Sequence, residues 1–233
     1  MTFLSRIFFS LLLAAAIADA ASVSGGFTIA DSKEASVRKR RDYSGIAVWL
    51  EPVGGRPAAS APRTHTMVQQ GKRFLPHLIV VQAGSSVDFP NFDPIFHNAF
   101  SNFSGQPFDV GLYPPKSSRR VQFTRDGVVY VFCNIHAAMS AVIVVVNTPW
   151  SAITASDGSF RIPNVPPGEY RLRVWHERAS QETLALLEKK LEVSTADVDL
   201  PISAISESGY IDIPHPNKFG KAYPPEPLPR GKY

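Results

Sequence analysis

The fold of this 233-residue chain is decided by the stretch Val128-Val-Tyr-Val-Phe-Cys133-Asn-Ile-His136-Ala-Ala-Met139-Ser-Ala-Val-Ile-Val-Val-Val146. Two runs of β-branched and aromatic residues, which favour strands, flank a short connection. That connection carries a thiol, an imidazole and a thioether at the spacing Cys-x2-His-x2-Met. The stretch therefore predicts two neighbouring strands with three potential metal ligands on the loop between them.

Similar strand-like segments recur along the rest of the chain, separated by turn signals such as Asp157-Gly158. They are residues 45–50, 78–81, 86–89, 121–123, 128–132, 141–146, 159–162, 170–175 and 191–193. Many short strands with such turns predict an all-β sandwich or barrel. The one helix expected is residues 180–190, which carry three leucines.

The composition excludes several classes of site. A single cysteine rules out an internal disulfide framework, a four-cysteine zinc site and a cysteine-ligated iron–sulfur cluster. The net charge is only +4. The basic run Arg38-Lys-Arg-Arg41 could bind an anionic partner, but it is interpreted here as a solvated loop. No aromatic residues interleave it for base stacking, so no nucleic-acid partner is expected.

The N-terminus has the pattern of a secretory signal peptide. Arg6 precedes an apolar run from Ile7 to Ile17, and Ala18-Asp19-Ala20 is a small-x-small cleavage pattern. The run is too short for a membrane-spanning helix, and no later stretch qualifies as a membrane span. We expect cleavage after Ala20 and an exported, periplasmic protein, in which a lone thiol needs protection.

A second imidazole extends the candidate ligand set. His97, followed by Asn98, lies shortly after the predicted strand that ends near Phe89. Two histidines, Cys133 and Met139 form the ligand set of a trigonal copper site with a long axial Met. One copper ion, alternating between Cu(I) and Cu(II), is the cofactor that this set predicts. Each residue alone has a plainer interpretation, namely a buried structural thiol, a loop histidine or a core methionine.

Two other chemistries fit the same residues less well. Structural zinc sites use Cys, His and carboxylates, and not the thioether of Met139. A Cys-His nucleophilic pair would make the chain an enzyme, but nothing in the sequence identifies an orienting third group or an oxyanion hole. The chain is therefore not expected to be an enzyme.

These residues resemble the cupredoxins, small blue copper proteins of the plastocyanin and amicyanin type, over about Thr64 to Val146. The matching pieces are residues 74–84, residues 87–93, His97-Asn98 and residues 130–139. The resemblance implies a Greek-key sandwich, with ligands His97, Cys133, His136 and Met139. It also implies that Asn98 hydrogen-bonds across to the cysteine loop and that His136 is the electron exit. One departure is Ala137, where the family often has proline.

A second module follows the copper region. Residues 157–174 form a tight strand–turn–strand unit that resembles the carboxypeptidase regulatory-like domain, a small transthyretin-like sandwich without catalytic activity of its own. Such sandwiches begin with a Gly-containing strand and an Ala-Val-rich strand, and residues 23–29 and 46–52 have this character. Two interpretations remain open: the copper domain is inserted into this sandwich, or residues 22–53 are extra cupredoxin strands.

The expected organisation has five parts: a signal peptide (1–20), N-terminal strands and linker (21–63), the copper domain (64–147), the regulatory-like domain (148–205) and a Pro-rich tail (206–233). The function predicted is exported single-electron transfer. The partner would be a cytochrome c or a periplasmic dehydrogenase or oxidase. Copper delivery, storage or sensing would use the same ligands, and a non-redox surface-binding module is a third possibility.

Overall fold

The computed structural model describes residues 20–55, 61–102 and 105–224 of the chain. The predicted signal peptide before Ala20, part of the predicted linker and the end of the Pro-rich tail lie outside these residues. Among the described residues, no helix is both long and apolar enough to cross a membrane.

The described chain is built almost entirely of strands, which confirms the predicted all-β sandwich class. The strands are β1 (Ala21–Ala30), β2 (Ala47–Pro52), β3 (Thr64–Thr66), β4 (Val68–Gln69), β5 (Phe74–Leu75), β6 (Leu78–Gln82), β7 (Ser86–Pro90), β8 (Phe100–Ser101), β9 (Phe108–Asp109), β10 (Ser118–Gln122), β11 (Gly127–Cys133), β12 (His136–Val146), β13 (Ser151–Ile153), β14 (Ser159–Val165), β15 (Gly168–Trp175), β16 (Lys189–Val193), β17 (Val198–Asp199) and β18 (Ser203–Ser206). The helices are α1 (Ala35–Arg40) and α2 (Gln181–Leu187).

One pair of sheets, which we call the central sandwich, is formed by β3 to β12. A three-stranded sheet in the order β10-β7-β3 accompanies a five-stranded sheet in the order β6-β12-β11-β8-β9, and β4 pairs with β5. A single cluster of buried residues from both sheets forms its core, and Cys133 and Met139 belong to this cluster.

The second pair of sheets, which we call the flanking sandwich, combines the first two strands with those after Val146. Strand β1 pairs with β14, β17 and β18, and β2 lies between β13 and β15. Within β2, Val48 is opposite Ala152 on one side and Val174 on the other. The flanking sandwich has a hydrophobic cluster of its own between its sheets.

The second part of β12, from Ala141 to Val146, is buried on both faces, which explains its unbroken apolar sequence. Ala141, Ile143 and Val145 belong to the core of the central sandwich. The alternate residues, which include Val142 and Val144, pack in a separate cluster with Trp175 and Leu184 of the flanking sandwich. A strand covered on both sides has no need of alternating polar residues.

The sequence predicted one of the two helices and missed the other. The predicted helix exists as Gln181–Leu187, and the Ser180 side chain caps it by accepting a hydrogen bond from the Thr183 amide at 3.2 Å. The prediction of a loop at Arg38–Arg41 was wrong, because most of that run lies in the helix Ala35–Arg40. Only Val37 of this helix is buried, so six residues provide too little periodicity for a sequence signal.

Candidate metal centre

Cys133 and His136 are brought together by a tight hairpin connection. Cys133 ends β11, His136 begins β12, and the two are cross-strand partners with only Asn134 and Ile135 between them. The pairing register shifts next to this pair, between Phe132 and Cys133. Such irregularities turn side chains to new directions next to functional sites. The Cys133 Sγ atom lies 3.6 Å from His136 Nδ1.

His97 reaches the same point from a distant part of the sequence. Its backbone forms a bridge with Tyr113, with His97 donating at 3.2 Å and Tyr113 donating at 2.9 Å. The His97 side chain is fully buried, and its Nδ1 atom lies 3.8 Å from Cys133 Sγ. The rings of His97 and His136 have centroids 4.8 Å apart. Among the residues that the structure describes, His97, Cys133 and His136 form a group that could hold a metal ion. Their potential ligand atoms all lie within 4.8 Å of one another.

These separations fit a shared metal ion. A metal at about 2.3 Å from sulfur and about 2.0 Å from nitrogen, with an angle of about 120° between them, places the two ligand atoms about 3.7 Å apart. The observed sulfur–nitrogen separations are 3.6 and 3.8 Å. Each imidazole nitrogen therefore lies at a distance from the thiol that suits a shared ion.

Asp93 fixes the orientation of His97, a role that the sequence analysis missed. Its carboxylate lies 2.8 Å from His97 Nε2. Because a carboxylate only accepts, Nε2 carries the proton, and the Nδ1 lone pair is left facing Cys133. Burial opposes ionisation of Asp93, but hydrogen bonds from the Lys72 amide, the His97 ring and the Gly71 amide outweigh it and lower the pKa of Asp93. The available signal was the spacing of four residues between Asp93 and His97.

Asn98 links the His97 segment to the cysteine loop, as the resemblance implied. Its side-chain oxygen accepts a hydrogen bond from the Asn134 amide at 3.2 Å, and its side-chain nitrogen donates to Asp109 at 2.7 Å. Gln69, also fully buried, donates to the Asn98 carbonyl at 3.2 Å. The loop is thus tied to the same scaffold that holds His97.

Cys133 is fully buried, which raises the pKa of its thiol. The backbone amides of Ile135, Asn98 and His136 point at the sulfur and act in the opposite direction, favouring the thiolate. A cation at this position would shift the balance further to the thiolate, which is the form that binds metal. The surroundings of the sulfur therefore suit a metal ligand better than an exposed nucleophile.

Met139, the fourth predicted ligand, is fully buried in the same packed cluster as Cys133. It lies on β12 three residues after His136, on the part of the strand next to the register shift. Thioethers bind weakly at the axial position of copper sites, so a buried Met139 in the same cluster as the thiol is compatible with that position.

The other histidines that we describe contact residues outside the group formed by His97, Cys133 and His136. His77 pairs with Glu177 at 2.8 Å, and the buried His176 pairs with Glu207 at 2.8 Å. His65 lies in the short strand β3. His215 lies beside the candidate centre, where its ring stacks on Phe132. No local pattern links these two residues, which are far apart in the chain.

Comparison with families and curated proteins gives limited information. A family model described as polysaccharide lyase family 4, domain II, matches residues 150–197. This is a different family from the carboxypeptidase regulatory-like domain that the resemblance suggested for this part of the chain. No curated protein matches the chain significantly.

Among solved structures, similar chains include copper-containing nitrite reductase from Thermus scotoductus SA-01, with 26% identity and a TM-score of 0.35, over 41% of this chain and 25% of that one. A purple cupredoxin from Nitrosopumilus maritimus has 18% identity and a TM-score of 0.33, over 35% of this chain and 99% of that one. Amicyanin from Paracoccus versutus has 16% identity and a TM-score of 0.34, over 42% of this chain and 97% of that one. Each similarity covers less than half of this chain, and the match spans only a quarter of the nitrite reductase.

Proposed function

We propose that this protein binds one copper ion through His97, Cys133, His136 and Met139 and carries single electrons between redox partners. The observation that supports it is the approach of two imidazole Nδ1 atoms to one buried thiol at 3.6 and 3.8 Å. A set of two imidazoles, a thiolate and a thioether favours copper over zinc, because soft ligands suit Cu(I) while imidazoles also suit Cu(II). When bound, the copper would supply a reversible one-electron couple.

The surroundings of the centre support electron transfer more than bond making. Asp93 and Asn98 hold His97 and the cysteine loop in place before any metal arrives. A site that does not rearrange between oxidation states lowers the barrier to gaining or losing an electron. Cys133 and His97 are fully buried, which leaves little room for a substrate next to the ion.

A partner would approach at the half-buried His136, which we propose as the electron exit. Ala137 and Ala138 next to it are small and exposed. Phe96 and Ile135, which directly precede His97 and His136, are 53% and 42% exposed. Leu112, which is 53% exposed, directly precedes Tyr113, whose backbone is paired with that of His97. Exposed apolar residues grouped in this way are typical of protein contact sites. Cytochromes c and periplasmic dehydrogenases or oxidases are the partner classes proposed, since we also propose export after cleavage at Ala20.

We further propose that the central sandwich is inserted into the flanking sandwich, between residues 53 and 148. The pairing of β1 and β2 with strands after Val146 supports this organisation. The flanking sandwich would then act as a transthyretin-like, non-catalytic companion module. The insertion begins after β2 and ends before β13, and these two strands pair with each other. This pairing stiffens the connection between the two modules.

Electron exchange is tested by mixing the copper-loaded protein with a reduced c-type cytochrome in a stopped-flow instrument. We expect one haem oxidised per Cu(II), with the copper retained on the protein as Cu(I). Leu112→Lys should slow the exchange about tenfold, as loss of a central apolar contact does in protein complexes. The matched control is Leu186→Lys on α2, where the leucine is 86% exposed, and it should leave the rate unchanged.

The same experiment separates carrying electrons from carrying copper. Transfer of the ion to an apo-acceptor protein, without oxidation of the cytochrome, would contradict the electron-carrier proposal and favour delivery. Equal rates for Leu112→Lys, Leu186→Lys and the unmodified protein would contradict the proposed docking surface.

A further inference from the structure

The segment after β18 returns from the flanking sandwich to the candidate metal centre. We call residues 207–224 the C-terminal strap. It starts at Glu207, which is buried and paired with His176 at 2.8 Å. From this anchor the strap crosses to the central sandwich, where its later residues contact the cysteine loop. The sequence predicted a Pro-rich tail here and did not show what it contacts.

The first attachment of the strap is His215. Its ring stacks on Phe132, with centroids 3.8 Å apart and an angle of 27° between the planes. Its Nε2 atom lies 3.0 Å from the Ala137 carbonyl oxygen. A carbonyl only accepts, so the ring donates this hydrogen bond. His215 therefore holds the residue that directly follows His136.

The second attachment is Lys218, which contacts both Asn134 and Asp109. Its backbone amide donates to the Asn134 side-chain oxygen at 3.0 Å. Its side-chain ammonium pairs with Asp109 at 2.7 Å. Asp109 is also the acceptor for Asn98, the residue that ties His97 to the cysteine loop. The strap thus completes a network of hydrogen bonds around the backbone of the cysteine loop.

The third attachment is Tyr223, whose hydroxyl donates to the Cys133 carbonyl oxygen at 2.9 Å. The His215 and Tyr223 rings also contact each other edge to face, with centroids 5.3 Å apart. The two attachments are therefore coupled, and they hold the loop at Cys133 and at Ala137. Between these positions lie Asn134, which Lys218 holds, and His136.

From this arrangement we infer that the C-terminal strap is part of the metal centre, and that Tyr223 and His215 are positioning residues for the thiol and imidazole ligands of the cysteine loop. The part of this inference that concerns bound copper rests on the proposed function. It adds that the ligand geometry depends on a segment 90 residues after Cys133 in the chain. Loosening the strap should increase the opening of the loop without unfolding the sandwich.

The inference is tested first in the copper-free, full-length protein by the rate at which iodoacetamide alkylates Cys133. Cys133 is fully buried, so alkylation requires the loop to open. Loss of one ordinary hydrogen bond in Tyr223→Phe should raise the rate about fivefold. His215→Phe, which keeps a ring to stack on Phe132 but cannot donate to Ala137, should act in the same direction.

The matched control is Tyr210→Phe, the same chemical change on the same strap. Tyr210 lies over the Arg178 guanidinium, with 5.9 Å from the guanidinium carbon to the ring centroid. This variant should be alkylated at the rate of the unmodified protein. Equal rates for Tyr223→Phe, His215→Phe and the unmodified protein would overturn the inference. So would an acceleration of the same size in Tyr210→Phe, which would indicate general loosening of the strap.

A second readout distinguishes positioning from stability. In the Cu(II)-loaded protein, Tyr223→Phe should shift the thiolate-to-copper absorption band or its relative intensity, whereas Tyr210→Phe should not. An unchanged spectrum in Tyr223→Phe would overturn the positioning role at the ligand. If no variant binds copper, the proposed function fails, while the alkylation rates still decide whether the strap holds the loop.

Discussion

The two sandwiches differ in what they bury. The flanking sandwich encloses a cluster of hydrophobic side chains between its sheets and also buries the His176–Glu207 pair. The central sandwich adds to its hydrophobic cluster a group of buried polar residues at one end, namely Gln69, Asn91, Asp93, His97 and Asn98.

Each of these five polar side chains makes a hydrogen bond. Burying polar groups costs free energy unless they are paired, so such a concentration is expected where a site must be held in one geometry. The comparison teaches that a network of buried polar side chains, and not the sandwich architecture itself, distinguishes the surroundings of the candidate metal centre. The predictions below test that distinction.

The largest effect is expected from Gly158→Ala in the flanking sandwich. Gly158 has φ +85°, and a Cβ there would collide with the Phe27 carbonyl oxygen. We expect about 3 kcal/mol lower free energy of unfolding, measured by chemical denaturation. Gly45→Ala is the matched control, because Gly45 has φ +83° but open space around it, and should cost only about 1 kcal/mol.

Copper affinity should be the same in the folded forms of both glycine variants. If Gly158→Ala bound copper more weakly while still folded, the distinction between the two sandwiches would be broken. The flanking sandwich would then contribute to the centre through more than the strap.

A smaller effect is expected from Asp93→Asn. The asparagine can donate to His97 Nε2, which would move the ring proton to Nδ1, the atom that faces Cys133. We expect copper affinity to fall about 10–100-fold, which is typical when the partner of a metal-binding histidine is changed. The measurement is a competition titration with a copper chelator.

Asp88→Asn is the control for that experiment. Asp88 lies on β7 of the same sandwich and pairs with Arg120 at 2.6 Å, at an exposed position. It should change copper affinity little. Equal losses in Asp88→Asn and Asp93→Asn would show that the polar network around His97 has no special role.

The sequence predicted the fold class and the approach of Cys133 to His136, because both depend on local patterns. Alternating and continuous apolar runs mark strands, and two side chains separated by two residues on a hairpin connection cannot lie far apart. His97 was included because it follows a predicted strand and because of the family resemblance. No local pattern could show that it lies 3.8 Å from a thiol 36 residues later.

Other features could not be predicted from the sequence for physical reasons. The contacts of Tyr223 and His215 join distant segments through single hydrogen bonds and a ring stack, which leave no periodic signal. The burial of both faces of β12 was visible as an apolar run, but the sequence did not show what covers the second face. Helix α1 buries only Val37 and has too few residues for a pattern.

The smallest effect is expected at the His77–Glu177 pair, which joins the two sandwiches. The hydrogen bond to Glu177 raises the pKa of His77 above its usual value of 6.5, although burial opposes this. A raised folded-state pKa stabilises the protein below pH 6.5, and this contribution is lost as the pH rises through the folded value. The His77 side chain is half exposed, so His77→Gln should cost only a few tenths of a kcal/mol at pH 5.5 and nothing at pH 8.5.

His65→Gln provides a control of opposite sign. Burial and the nearby Arg63 lower the pKa of His65, so protonation below pH 6.5 destabilises the folded state. Its replacement should make the protein relatively more stable at pH 5.5 than at pH 8.5. Thermal unfolding at the two pH values measures both variants, and the same sign for the two would contradict the assigned interactions.

The central claim is tested most directly by the visible absorption spectrum of the protein, purified without a metal-chelating tag and titrated with Cu(II). We predict an intense thiolate-to-copper band that saturates at one copper per chain and is absent in Cys133→Ser. Met139→Leu should keep the band with a shifted position, since the axial ligand is weak. A colourless protein, or a band that persists in Cys133→Ser, would contradict the proposal that Cys133 binds copper.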